Sequence, residues 1–369
     1  MEVYKGIDIY KNGEEYSPGQ GERKIFIENK MMKFFKKIND SIFFSSDNKG
    51  NVYYLEFNQK NKSFKITNLN NICSDSKYIL NDIINSSKYN IYFSLNLNPC
   101  LNIFKFKDNK KEIEILQHIN LRKNGNKLKY NKVMDINTNN GDYFILFRED
   151  IIELWMNKNY NNKNYDITNY ECVYILNHID INKKNQININ DNKFPFILSN
   201  IYKYNNENFF LLNLTNFQIL KSKILESNKN NSISPMIEIN NIINIKGIEG
   251  QLEKISSLFI DKDYVFLGLA DSLVLLSVLY GEIIQIYKIG KVLQIKITND
   301  KKYVYIFVEK GDIQKKYYFI KYRFIEYEGL EEDSRINYKN WIYKFDIIEK
   351  ENLIVIYDIK GLITLLSFN

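Results

Sequence analysis

The sequence predicts an all-β chain built from about seven four-stranded repeats. Three observations carry this reading. Strand formers dominate the apolar positions: 28 Tyr and 24 Phe stand beside abundant Ile and Val, while alanine occurs once, at Ala270, so the best helix former is almost missing. The apolar runs are short and are broken by clusters of Asn, Asp, Lys and Gly, the punctuation of strands and turns. The same hairpin grammar then returns along the chain at a spacing of about 40–65 residues, which is the mark of a repeat architecture.

The clearest unit opens at Met31. MKFFKKI, DSIFFSSD, NVYYLEF and KSFKITNL read as four strands joined by tight turns. In its middle hairpin, SIFFSSDNKGNVYYLEF (41–57), an apolar strand ends in small polar residues, Asp47 and Gly50 supply the turn, and an alternating strand follows. Asp at such a place ties a hairpin by accepting backbone N–H groups. Related hairpins start at 89, 142, 208, 263, 302 and 352. Those up to 302 are followed by a further strand: KEIEILQHI, ECVYILNHI, SPMIEINNI, EIIQIYKI and FIEYEGL. Asp150 and Asp271 fall in hairpin turns as Asp47 does, with Asp312 and Asp358 near theirs. Each hairpin after the first is preceded by a first-strand candidate such as LNDII, KVMDI or WIYKFDII. The last unit has nothing after GLITLLSF, and ERKIFIE (22–28) has no other partner.

This arrangement resembles the blades of WD-repeat β-propellers, in which a strand from the start of the chain completes the last blade and removes an exposed sheet edge. The expected fold is therefore a roughly seven-bladed, WD-like β-propeller with an N-terminal strand closing the last blade. Residues 1–21 read as a flexible leader and 22–369 as one propeller domain. The motif itself is eroded. Two His (His118, His178) and two Trp (Trp155, Trp341) are all the chain holds, and Trp155 in ELWM is the one placed where the repeat's Trp would be. The Asp-His-Ser-Trp network of regular repeats has no residues to form it.

Composition bounds the rest. The chain has 53 Asn and five Arg, with Lys, Ile and Tyr also raised, the vocabulary of an AT-rich coding sequence, so short matches containing Asn or Lys carry little weight. The net charge of +7 is mildly basic, short of a dedicated nucleic-acid binder. Cys73, Cys100 and Cys172 are odd in number with no CxxC spacing, which argues against a disulfide framework or structural zinc site and fits a reducing compartment. The charged N-terminus has no apolar core of a signal peptide. Residues 264–280, YVFLGLADSLVLLSVLY, have the length of a short membrane span but carry Asp271 at the centre, and are expected to be two buried strands meeting at that residue. These features point to an intracellular protein, cytoplasmic or nuclear, without membrane insertion.

No catalytic constellation stands out. HExxH and GxSxG are absent, and PGQGERK (18–24) lacks the third glycine and the helix of a nucleotide loop. His118 and His178 each close a fourth strand, where a solvent-facing His is expected. No catalytic, cofactor-binding or metal-ligating residue is assigned. Charge is more informative. Arg122, Lys123, Lys127, Lys129 and Lys132 form a basic run, while Glu326, Glu328, Glu331, Glu332 and Asp333 form an acidic one. Both are expected in connections from a fourth strand to the next first strand, on the end of the blades that also bears the second-to-third strand turns. They would make a bipolar face for docking a charged partner.

The expected function is a non-catalytic scaffold or adaptor, a monomer within a larger multi-protein assembly whose partners are other proteins. A second expectation is an accessory, RNA-contacting subunit of an RNA-processing enzyme, similar to the propeller partner of the tRNA seven-methylguanosine methyltransferase, with the basic run as its RNA contact. A third is a propeller hydrolase or lyase using carboxylates in the central mouth.

Overall fold

The computed structural model describes residues 6–8, 15–16 and 32–367, except 70–78, 87–89, 97–99, 108–111, 122–129, 139–140, 149–150, 160–168, 178–197, 204–207, 214–217, 230–231, 245–256, 261–262, 312–313, 327, 340 and 359–361. The described strands form seven antiparallel sheets. In six of them four strands follow chain order, each paired with the next. We number these blades one to seven from the first complete sheet. Tertiary contacts divide the chain into two units, 1–68 with 246–369, and 69–245.

The first unit holds blades one, five, six and seven. Blade one consists of Met32–Asn39, Ile42–Asp47, Val52–Asn58 and Ser63–Asn68. Blade five consists of Ser257–Ile260, Tyr264–Gly268, Ser272–Ser277 and Ile283–Lys288. The apolar 264–280 segment is thus two antiparallel strands, with Gly268 opposite Leu273. Both are buried along almost their whole length. Among the described residues no helix is long and apolar enough to cross a membrane. Blade six consists of Lys291–Ile297, Tyr303–Lys310, Lys316–Ile325 and Gly329–Tyr338.

Blade seven takes three strands from the end of the chain, Lys344–Ile348, Leu353–Tyr357 and Leu362–Ser367. An N-terminal strand completes it, as expected, but from a different segment. Gly6–Asp8 lies against the last strand, with Ile7 opposite Ile363 and Asp8 opposite Leu362, and Glu15–Tyr16 pairs outside it. The closing strand therefore comes from the stretch read as a leader. ERKIFIE at 22–28 lies outside the described residues. GIDI and KIFI are both short segments with two or more strand-forming apolar residues, and the sequence alone does not choose between them.

The second unit holds the other three blades. Blade two spans Leu80–Ser86, Ile91–Asn96, Cys100–Phe106 and Ile113–Asn120. Blade three spans Tyr130–Asn137, Asp142–Arg148, Ile151–Asn157 and Tyr170–Asn177. Blade four spans Leu198–Lys203, Asn208–Asn213, Gln218–Lys229 and Ser232–Asn244. Cys100 and Cys172 are free thiols.

Within each unit the core lies between neighbouring blades. Phe35, Phe43, Leu55 and Phe64 of blade one pack on Ile348, Val355, Tyr357 and Leu365 of blade seven. Phe35 stacks on Tyr357 with ring centroids 4.5 Å apart. In the second unit Phe93 of blade two meets Phe144 and Tyr170 of blade three. Burying each such ring contributes about 1.5–3 kcal/mol. Polar clasps add register. Gln294 of blade six accepts the Phe345 N–H of blade seven at 3.0 Å and donates to the carbonyl of Tyr343, just before that blade's first strand, at 2.8 Å. The Tyr357 hydroxyl lies 2.6 Å from Ser45 Oγ, which donates to the Phe34 carbonyl at 2.9 Å. A hydroxyl has one proton, so Tyr357 is the donor in that pair.

Candidate interaction face

Each blade has two ends, one bearing the second-to-third strand turn and the other bearing the remaining two turns. The turn of blade one is set by Asp47, whose side chain is fully buried. Its Oδ1 accepts the backbone N–H groups of Lys49 and Asn51, both at 2.9 Å, and its Oδ2 accepts the Asn51 side-chain amide at 2.7 Å. Gly50 adopts φ +87°, the left-handed conformation that this tight turn requires. The Tyr53 phenol donates to Asp47 Oδ2 at 3.2 Å. Burial, and then the Asp47 charge, push the Tyr53 pKa well above the ordinary phenol value. Asp358 works in the same way in blade seven, accepting the Leu362 N–H at 2.9 Å.

Asp271 sits in the turn of blade five but does different work. Its carboxylate is exposed and takes Lys288 Nζ at 2.6 Å and Ser272 Oγ at 2.8 Å. The Lys288 hydrogen bond, then that from Ser272, holds its pKa below the usual carboxylate value. The turn is closed by backbone alone, with the Leu269 N–H on the Ser272 carbonyl. Asp150 lies outside the described residues.

At this end of the first unit, blades five and six enclose an open cleft of about 560 Å³. One wall is the Ala270–Asp271 turn. The base of the fourth strand and the connection to blade six supply Lys288, Gly290 and Lys291, and the Glu309–Gly311 turn supplies the other wall. The connection is bound to the turn beside it, since Gly290 N–H reaches the Asp271 carbonyl at 3.0 Å and Val292 N–H reaches that of Leu269 at 3.1 Å. Connection and second-to-third turn therefore share an end here, as expected. Gly290 has φ +102°, and a Cβ there would stand 2.8 Å from the Glu309 carbonyl oxygen.

The acidic run is placed differently from the expectation. The third strand of blade six continues to Ile325, so Glu326 and Glu328 occupy the third-to-fourth turn, at the end away from the cleft. The expected fourth strand FIEYEGL is instead the end of one strand and the turn after it. The chain reverses at Gly329, φ +113°, and Leu330 N–H is held by the Tyr287 hydroxyl of blade five. Glu331, Glu332 and Asp333 lie on the fourth strand, and each has a basic partner. Glu331 pairs with Arg323, Glu332 with Arg335 at 2.7 Å, and Asp333 with Lys321 at 3.3 Å. Of the basic run, Arg122, Lys123, Lys127 and Lys129 lie outside the described residues. Lys132 lies half-buried on the first strand of blade three, opposite Phe147.

Other singled-out residues have structural partners. His118, exposed on the fourth strand of blade two, bonds the Asn102 side chain, and His178 lies outside the described residues. Trp155 stacks on Phe144 at 5.7 Å and donates to Glu153 at 3.0 Å. Two carboxylates on first strands are also engaged. Asp82 accepts Ile83 N–H at 2.9 Å and Val133 N–H at 3.0 Å. Asp346 accepts Ile347 N–H at 3.1 Å and Lys296 at 2.7 Å.

Solved structures of the same architecture superpose on most of the chain. The WD40 propeller domain of Doa1 aligns with a TM-score of 0.54 at 12% identity, over 92% of this chain and 94% of its own. The fold is that of a WD40-type seven-bladed β-propeller. A chain in the mitotic checkpoint complex aligns with a TM-score of 0.57 at 8% identity, over 100% of this propeller and 96% of its own length. A candidate 6-phosphogluconolactonase from Bacteroides fragilis aligns with a TM-score of 0.58 at 11% identity, over 90% and 88%. No protein-family model matches the chain, and no curated protein matches it by sequence.

Proposed function

We propose that this propeller is a non-catalytic docking platform that holds other proteins in a multi-chain assembly, using the end of the blades that bears the second-to-third strand turns. The observation that carries the reading is the cleft between blades five and six. It is open, it falls within the ~300–1,000 Å³ range of binding sites, and charged side chains line both walls. The fold recurs in a chain of the mitotic checkpoint complex, itself a multi-protein assembly. Asp82 and Asp346 bind backbone N–H groups and Lys296 of their own and neighbouring strands, which gives both carboxylates a structural role.

The test is affinity purification of the native protein with stoichiometric identification of the chains that come with it. The platform reading expects at least one protein at near-equimolar ratio. Purification as a lone chain that opens 6-phosphogluconolactone would replace it with the enzymatic reading. A partner lost on RNase treatment, together with salt-sensitive RNA binding that weakens on reversing Lys127 and Lys129, would favour the RNA-contacting one.

A further inference from the structure

Building on the platform reading, we infer that the cleft between blades five and six receives an acidic polypeptide segment. The charge balance of its walls carries this. Five lysines stand in or beside the cleft: Lys288, Lys291, Lys310, Lys315 and Lys316. Two carboxylates among the described residues answer them, and the sequence puts a third, Asp312, in the same turn but outside the described residues, so five lysines stand against three carboxylates. Asp271 is taken by Lys288 at 2.6 Å, and Glu309 by Lys315 at 3.3 Å. Lys291, Lys310 and Lys316 have no carboxylate partner among the described residues. Lys291 is exposed and faces Glu309 only as a cross-strand neighbour. Lys310 rests over the Tyr318 ring, 5.7 Å from its centroid, and stands cross-strand from Lys316. Like charges directly opposite one another repel, and a bound anion relieves that repulsion.

The geometry favours a polypeptide over a nucleic acid. Neither aromatic nor arginine side chains line the cleft, so stacked bases and bidentate phosphate contacts have no donors. Two positive-φ glycines, Gly290 and Gly311 (φ +87°), keep Cβ atoms out of the walls, and buried Ile289 adds an apolar contact for the aliphatic stems of Glu side chains.

The test measures fluorescence anisotropy of the full chain with labelled octaglutamate, against octalysine and an octauridylate of equal length. Octaglutamate is expected to bind, and to weaken as salt rises and the Debye length shortens. The double substitution Lys291→Glu and Lys310→Glu is expected to weaken it by about tenfold or more, or ~1.4 kcal/mol, at unchanged melting temperature. Lys302→Glu, exposed at the other end of blade six, serves as the control and is expected to leave binding within about twofold. Octauridylate binding more tightly than octaglutamate, or a double variant that binds octaglutamate as the wild type does, overturns the inference. Failure of this inference is separable from failure of the platform reading. Co-purifying partners retained by the double variant sink the acidic-segment inference and leave the platform standing, whereas a wild-type chain without partners sinks the platform itself.

Discussion

The Asp47 carboxylate receives the Asn51 backbone N–H at 2.9 Å, four residues along the chain. The same step links Asp358 to Leu362. These two carboxylates define the second-to-third strand turns of blades one and seven, whereas Asp271, at the corresponding turn of blade five, points its charge outward to Lys288.

That contrast gives a paired prediction. Asp47→Ala leaves two backbone donors, the Asn51 side-chain amide and the Tyr53 hydroxyl without their buried acceptor at a turn whose Asn48 and Lys49 are exposed, and is expected to cost about 1–2 kcal/mol. Asp271→Ala removes an exposed, solvent-screened pair and is expected to change stability by less than about 0.5 kcal/mol. Urea unfolding of the two variants compares them directly, and equal effects would contradict the assignment of Asp47 as a turn cap.

The polar clasp between blades six and seven gives a second prediction. Gln294→Glu keeps an acceptor for Phe345 N–H but loses the donor to the Tyr343 carbonyl and sets a carboxylate against that oxygen. A loss of about 1–3 kcal/mol is expected, with Gln294→Leu comparable. A melting temperature unchanged in both variants would show that the amide does not hold the two blades in register.

Buried phenols give a pH prediction. Tyr53, Tyr170 and Tyr305 have pKa values raised chiefly by burial, and Tyr322 is pushed up to about 12 by burial and then by Glu332. A folded-state pKa raised above the unfolded value gives stability that is complete below the unfolded pKa, about 10 for tyrosine. That stability is lost as pH rises toward the folded values. The protein is expected to unfold cooperatively above about pH 10, with much of its tyrosinate absorbance appearing together with loss of the β signal in circular dichroism. Smooth ionisation with the β signal intact would contradict the burial of these rings.

The closing strand gives a fourth. Deleting residues 1–8 removes the partner of Leu362 and Ile363 and exposes a sheet edge. A lower melting temperature and concentration-dependent light scattering are expected. A truncated protein with unchanged melting would show that Gly6–Asp8 does not secure the last blade.

The blade hairpins were legible in the sequence because their second and third strands are nearly all apolar and meet at turn residues such as Asp47–Gly50 or Ala270–Ser272. The fourth strand of blade six was not. Gly329–Tyr338 exposes much of its length to solvent, its charged residues pair across with Lys321 and Arg323 and within the strand with Arg335, and no apolar alternation marks it. The apolar tail of the preceding strand, FIEY, drew the assignment instead. The cleft was equally silent. It is assembled from segments near 270, 290 and 310 that share no motif, and glycines 290 and 311 beside lysines were its only local signal. Turn carboxylates looked alike as letters, and only burial separates Asp47 from Asp271.

Lysine-directed cross-linking of the native complex, read by mass spectrometry, tests the central claim most directly. The account predicts that carbodiimide activation couples the Lys288, Lys291 and Lys310 amines by amide bonds to Asp and Glu side chains of a partner chain. Cross-links confined to Lys302 and other positions at the opposite end of the blades, with those three lysines freely modified in the complex, would contradict it.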